Sequence, residues 1–126
     1  MRYQSLLNRA KREAIKSQHT HRVGACLYKG GSIIAAGYNQ VRLKRTGLSY
    51  TNFVESLHAE RDACSKVAKA KLKGSTICVV RINNKGKFLF AKPCKDCLAL
   101  LTMLGIRKVI YTTDCSFKEM LIANHK

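Results

Sequence analysis

The 126-residue chain has no tryptophan, one proline and seven acidic side chains. Its longest apolar stretches, such as Ile33-Ile34-Ala35-Ala36 and Ile77-Cys78-Val79-Val80, fall far short of the ~20 residues that a membrane helix needs. Met1-Arg2-Tyr3-Gln4-Ser5 lacks the apolar core of a secretory signal, so a cytoplasmic or nuclear protein without a membrane partner is expected. Repeats, low-complexity tracts and linkers are absent too, and the length suits one domain over residues 1–126. The shortage of acid leaves 24 lysines and arginines opposed by only seven aspartates and glutamates, a formal net charge of +17. Such a field attracts polyanions, single-stranded nucleic acid among them. A surface of solvating lysines is the plainer meaning.

Six cysteines in a chain without a secretory signal argue against a disulfide framework. Cys26, Cys64, Cys78 and Cys115 read as small buried hydrophobes. Cys94 and Cys97 have metal-ligand spacing. The histidines His19, His21 and His125 carry no such pattern and read as surface or core residues.

Periodicity predicts a helix over residues 2–17, with Tyr3, Leu6, Leu7, Ala10 and Ala14 on one face and Arg2, Arg9, Arg12 and Lys16 nearly opposite. Strands are expected over 23–29 and 32–38, joined at Gly30-Gly31. Residues 39–56 read as a loop in which Arg42, Lys44 and Arg45 lie near Tyr50 and Phe53. That mixture suits contact with a phosphate or a stacked base, or a plain surface loop. A second helix is expected over 58–73, closed by Gly74, then a buried strand over 75–82 and a turn at 83–86. Pro93 suits the first position of the next helix, which Gly105 ends near Leu104. A strand follows over 107–112. Residues 117–123 form either a helix or a strand; a strand would pair antiparallel, because three linking residues are too few for a crossover. This order implies a three-layer α/β fold around one mixed five-stranded sheet.

The chemistry concentrates in His58-Ala59-Glu60 and Pro93-Cys94-Lys95-Asp96-Cys97. One imidazole and two thiolates make three zinc ligands and leave a fourth tetrahedral position open, as a catalytic site requires. Zinc lowers the pKa of bound water to about 7. Two thiolates cancel the formal charge of the ion and damp its acidity, which makes the carboxylate of Glu60 useful as a proton carrier. Helix starts at His58 and Cys94 would aim their positive ends at the metal and favour thiolate. A closed zinc knuckle completed by Cys115 leaves Glu60 unexplained, and a redox Cys-x-x-Cys lacks the preceding strand and turn.

With Gly37-Tyr38-Asn39 and Gly105-Ile106-Arg107-Lys108-Val109-Ile110-Tyr111, these motifs make the chain resemble the zinc-dependent cytidine/deoxycytidylate deaminase superfamily over nearly its whole length. The resemblance implies the cytidine-deaminase-like α/β/α sandwich. It also implies one zinc ion on His58, Cys94 and Cys97, with Glu60 as proton shuttle. Asn39 is implied to contact the sugar, and the backbone around Ala59 and Pro93 to read the pyrimidine edge. Histidine as the first ligand resembles the deoxycytidylate, tRNA-adenosine and polynucleotide cytidine branches. A C-terminal hairpin departs from those branches, where a helix joins the last two strands.

The leading expectation is hydrolytic deamination of a cytosine base in a phosphorylated pyrimidine, CMP or dCMP, with Arg42, Lys44 and Arg45 toward the phosphate. A deaminase of single-stranded DNA or RNA, C-to-U before A-to-I, is the alternative that the charge supports. A zinc-stabilised nucleic-acid-binding module without turnover is the third, and an intact Glu60 argues against it. Homo-oligomers are common among such relatives.

Overall fold

The computed structural model describes residues 2–17, 21–45, 52–114 and 116–122, with backbone alone for 2, 41–45 and 52–57. In chain order the elements are α1 (Arg2–Ile15), β1 (Arg22–Lys29), β2 (Ser32–Tyr38), β3 (Gln40–Arg45), β4 (Asn52–Leu57), α2 (Ala59–Ser65) and α3 (Lys69–Leu72). They continue with β5 (Thr76–Ile82), β6 (Phe88–Leu89), α4 (Lys95–Met103), β7 (Lys108–Thr112) and β8 (Phe117–Leu121). Among the described residues no helix is long and apolar enough to cross a membrane.

The main sheet runs β2-β1-β5-β7-β8, and β6 adds a sixth strand against β5. Among the described residues only β5 and β7 pair in parallel, joined by a crossover through α4. β8 pairs antiparallel with β7, Lys108 opposite Leu121 and Thr112 opposite Phe117. The short link before it therefore makes a hairpin, as its length requires, and the last segment is a strand.

Alternation along the strands builds two cores. Cys26, Cys78, Val80, Ile82 and Ile110 face α1, which covers them with Leu6, Leu7, Ala10 and Ala14. Ala25, Leu27, Ile77, Val79 and Val109 face the other way, against Ala59 and Ala63 of α2 and Leu101 of α4. Each fully buried leucine stabilises the fold by about 1.5–3 kcal/mol. The sheet is thus a middle layer, and the site grows on the α2 and α4 face. Cys26, Cys64 and Cys78 are buried, as expected of small hydrophobes; Cys115, His19 and His125 lie outside the described residues.

Close approach of α1 depends on Gly24, where an added Cβ would stand 2.0 Å from the Ala10 carbonyl oxygen and 2.4 Å from the Ala14 nitrogen. Neither backbone atom can yield without moving the helix. Gly24→Ala is expected to destabilise by about 3 kcal/mol or more, and thermal denaturation checks this. A melting point within two degrees or so of the parent would show that α1 rides further from the sheet.

Three expectations need correction. Residues 39–56 are not simply a loop: β3 and β4 pair antiparallel from Gln40 opposite Leu57 to Arg45 opposite Asn52. Residues 58–73 form two helices, not one. In a continuous helix Leu72 would point about 180° away from Ala63, yet both are buried in the same core; the break after Ser65 permits it. Finally, α4 begins at Lys95 with Cys94 as its cap, so Pro93 precedes the helix.

Candidate active site

β5 changes partner along its length. Its ladder with β7 ends at Val79, and its ladder with β6 starts at Arg81. The Thr112 hydroxyl bridges the gap, accepting from the Arg81 amide at 3.2 Å and donating to the Leu89 carbonyl at 2.7 Å. Crevices at the carboxyl ends of parallel strands, where partners change, are natural ligand sites. A cavity of about 410 Å³ opens here, within the range of about 300–1,000 Å³ typical of small-molecule sites. Its walls include His58, Ala59 and Glu60 from one side of the sequence and Pro93 and Cys94 from the other.

Two helix starts deliver the donors. His58 caps α2 in an extended conformation, and its carbonyl accepts from the Asp62 amide at 3.0 Å. Cys94 caps α4 in the same way, its carbonyl accepting from Leu98 at 2.9 Å. Cys97 follows one turn later, so both sulfurs face His58. The His58 Nδ1 lies 3.0 Å from the Cys97 Sγ and 3.8 Å from the Cys94 Sγ. All three donor atoms fall within 4.8 Å of one another. A tetrahedral zinc, with sulfur at about 2.3 Å and nitrogen at about 2.0 Å, sets such edges near ~3.5–3.8 Å. The donor set therefore fits the ion after a shift of about half an ångström at the shorter edge.

Glu60 is 5% exposed. Burial raises its carboxyl above the ordinary range, opposed by its own backbone amide, His58 and the Cys97 thiol. The Cys97 thiol is itself pushed up, by burial first and then by Glu60. A divalent cation reverses that preference, because the charge of the ion stabilises thiolate. Cys64, beneath Glu60, is raised to about 11 by burial and by the same carboxylate, so it stays a neutral packing group.

Asn39 also lines the cavity and is buried. Its Oδ1 accepts from the Val23 amide at 2.9 Å, and its Nδ2 donates to the His21 carbonyl. Much of its capacity thus ties the start of β1 to the end of β2. Arg42, Lys44 and Arg45 stand on β3 opposite Glu55, Phe53 and Asn52; their side chains lie outside the described residues. The β3–β4 arm leaves the cavity at Asn39 and returns to it at His58.

Sequence reasoning missed several neighbours. Asp62 accepts from the Tyr38 amide at 3.1 Å and the Gln40 Nε2 at 3.2 Å, and pairs with Lys66 at 3.6 Å. It fastens α2, and so His58 and Glu60, to β2. An acid at the first turn of a helix was the available signal. His21, Arg81, Phe90 and Lys92 complete the cavity wall.

Comparison with known proteins agrees with this geometry. A family model described as the cytidine and deoxycytidylate deaminase zinc-binding region matches residues 1–113. The dCMP deaminase from cyanophage S-TIM5 in apo form is 27% identical, over 87% of this chain and 81% of its own, with a TM-score of 0.59. Its complex with dCMP and dUMP gives 26%, 86%, 79% and 0.58 for the same measures. The cytidine deaminase from Mycobacterium leprae, at 20% identity, covers 94% of this chain and 93% of its own with a TM-score of 0.58, a likeness of fold. No match was found among curated protein sequences.

Proposed function

As the chain belongs to the cytidine and deoxycytidylate deaminase family of zinc-dependent hydrolases, we propose that it converts the cytosine base of CMP or dCMP to uracil. The observation that carries this reading is a buried Glu60 in one cavity with the donors His58 and Cys94, Cys97 standing 3.0 Å from His58. His58, Cys94 and Cys97 would hold the zinc. When bound, the ion supplies the Lewis acidity that acidifies water to a pKa of about 7. Glu60 accepts one proton of the attacking water and delivers it to ring nitrogen N3; it then takes the remaining proton from the hydroxyl added at C4 and passes it to the amino group, which departs as ammonia while the C4 carbonyl forms. Its burial favours the protonated form, the state that must donate. The backbone at Ala59 and Pro93 flanks the base, and the remaining Nδ2 hydrogen of Asn39 serves the sugar. Arg42, Lys44 and Arg45 would act on phosphate from the β3 arm. A phosphorylated substrate is supported by the S-TIM5 relative, whose structure holds dCMP and dUMP.

A single-stranded nucleic-acid substrate has its own support in the net charge of +17 and in Phe90, which is 53% exposed at the cavity and could stack on a base. Zinc-loaded protein tested on cytidine, CMP, dCMP, dCTP, single-stranded DNA and tRNA separates these readings. Base conversion on CMP or dCMP is expected. Conversion confined to polynucleotides and falling steeply with salt would replace the mononucleotide reading. Stoichiometric zinc without conversion of any substrate would leave a binding module.

A further inference from the structure

Resting on the deaminase reading above, we infer that Arg81, steadied by His21, grips the terminal 5′-phosphate of the substrate and makes the enzyme prefer a nucleoside monophosphate to the free nucleoside. Arg81 lies on β5 between Val80 and Ile82, which face α1. Alternation sends its side chain to the opposite face, where it joins Val79 in the wall of the cavity that holds His58 and Glu60.

The guanidinium is poised for an anion. Its Nη2 stands 2.7 Å from the His21 Nδ1, which holds one branch of the fork in place. Its Nε is buried and has no partner among the described residues. No described carboxylate pairs with it either. The buried acids are committed elsewhere: Glu13 to Arg9 and Lys16, and Asp62 to Lys66, while Glu60 faces the metal donors. On the cavity wall beside Val23, Val79 and Ala91, where its contact with His21 is exposed, the guanidinium can take up an anionic ligand without first breaking an ion pair to any described carboxylate. A cytosine nucleotide has one anionic group to offer, its phosphate. The planar fork of arginine matches phosphate oxygens with paired, charge-assisted hydrogen bonds. Lys92, exposed on the same wall, adds a second positive charge. Asn39 acts behind this group as a positioning residue, because its amide holds the His21 carbonyl.

The test compares kcat/KM for dCMP and deoxycytidine in zinc-loaded parent, Arg81→Gln and Arg81→Lys. The preference for dCMP is expected to fall about 10- to 100-fold in Arg81→Gln, the effect of losing hydrogen bonds to a charged group. Arg81→Lys, which keeps the charge but not the fork, is expected to lose about 3- to 10-fold; it decides alone if the glutamine variant fails to fold. A preference unchanged within twofold in a zinc-loaded variant overturns the assignment. So does turnover confined to single-stranded DNA with none on dCMP. Titration of dUMP and deoxyuridine into the same proteins separates this inference from the reading it rests on. Should no cytosine compound be deaminated, tighter binding of dUMP in the parent alone would still assign the phosphate to Arg81. Equal binding of the two ligands would remove that assignment as well.

Discussion

Glu60→Gln is expected to keep one zinc per chain and to lose about 10²–10⁴-fold in the rate of ammonia release. The substitution is nearly isosteric, which matters at a side chain only 5% exposed. It leaves α2 packed and His58 in place at the cap. It removes the carboxylate proposed to accept and return the proton, at an expected cost to the transition state of about 3–5 kcal/mol. Zinc content and ammonia release on the same sample check both halves. A rate within tenfold of the parent would show that another group moves the proton. Loss of zinc as well would mean that Glu60 holds the metal site together, a structural role.

Cys97→Ala carries the other large effect. Cys97 is 1% exposed on the first turn of α4, one turn beyond the cap at Cys94. Its removal leaves only two donors, the His58 Nδ1 and the Cys94 Sγ, 3.8 Å apart, too few for a retained ion. Dialysed variant protein should carry almost no zinc and release no ammonia. A bound metal stabilises the fold by mass action, about 4 kcal/mol at a thousandfold excess over Kd. Losing that term should lower the melting point by about 10–15 °C. Added zinc should raise the melting point of the metal-stripped parent and not of the variant. Because burial pushes the Cys97 thiol up, zinc must displace its proton, so retention by the parent should weaken as pH falls. Cys64→Ala is the control: a buried cysteine outside the donor triad, expected to keep its zinc. Normal zinc in Cys97→Ala would place the metal elsewhere.

Much of this was legible wherever the signal is local. The face of α1 follows from Tyr3, Leu6, Leu7, Ala10 and Ala14, spaced for a helix, and four of these are buried. The β1–β2 hairpin follows from Gly30 and Gly31, whose φ values of 61° and 86° favour glycine. The donor triad follows from ligand types and spacing alone. What escaped depends on tertiary context. Val41 and Leu43 alternate with Arg42 and Lys44, enough to suggest the β3 strand, but basic residues mixed with nearby aromatics read as a loop. The break between α2 and α3 has no glycine or proline to announce it; it follows from the need to turn Leu72 back into the core. Arg81 and His21 meet only because β1 pairs antiparallel with β5, Arg22 opposite Ile82. No pattern within either segment marks that contact.

Zinc-edge X-ray absorption on the purified protein addresses the central claim most directly. Two sulfur scatterers at about 2.3 Å and two nitrogen or oxygen scatterers at about 2.0 Å are expected, the signature of one imidazole, two thiolates and one exchangeable position. A shell of three or four sulfurs, or a protein without zinc, would contradict it.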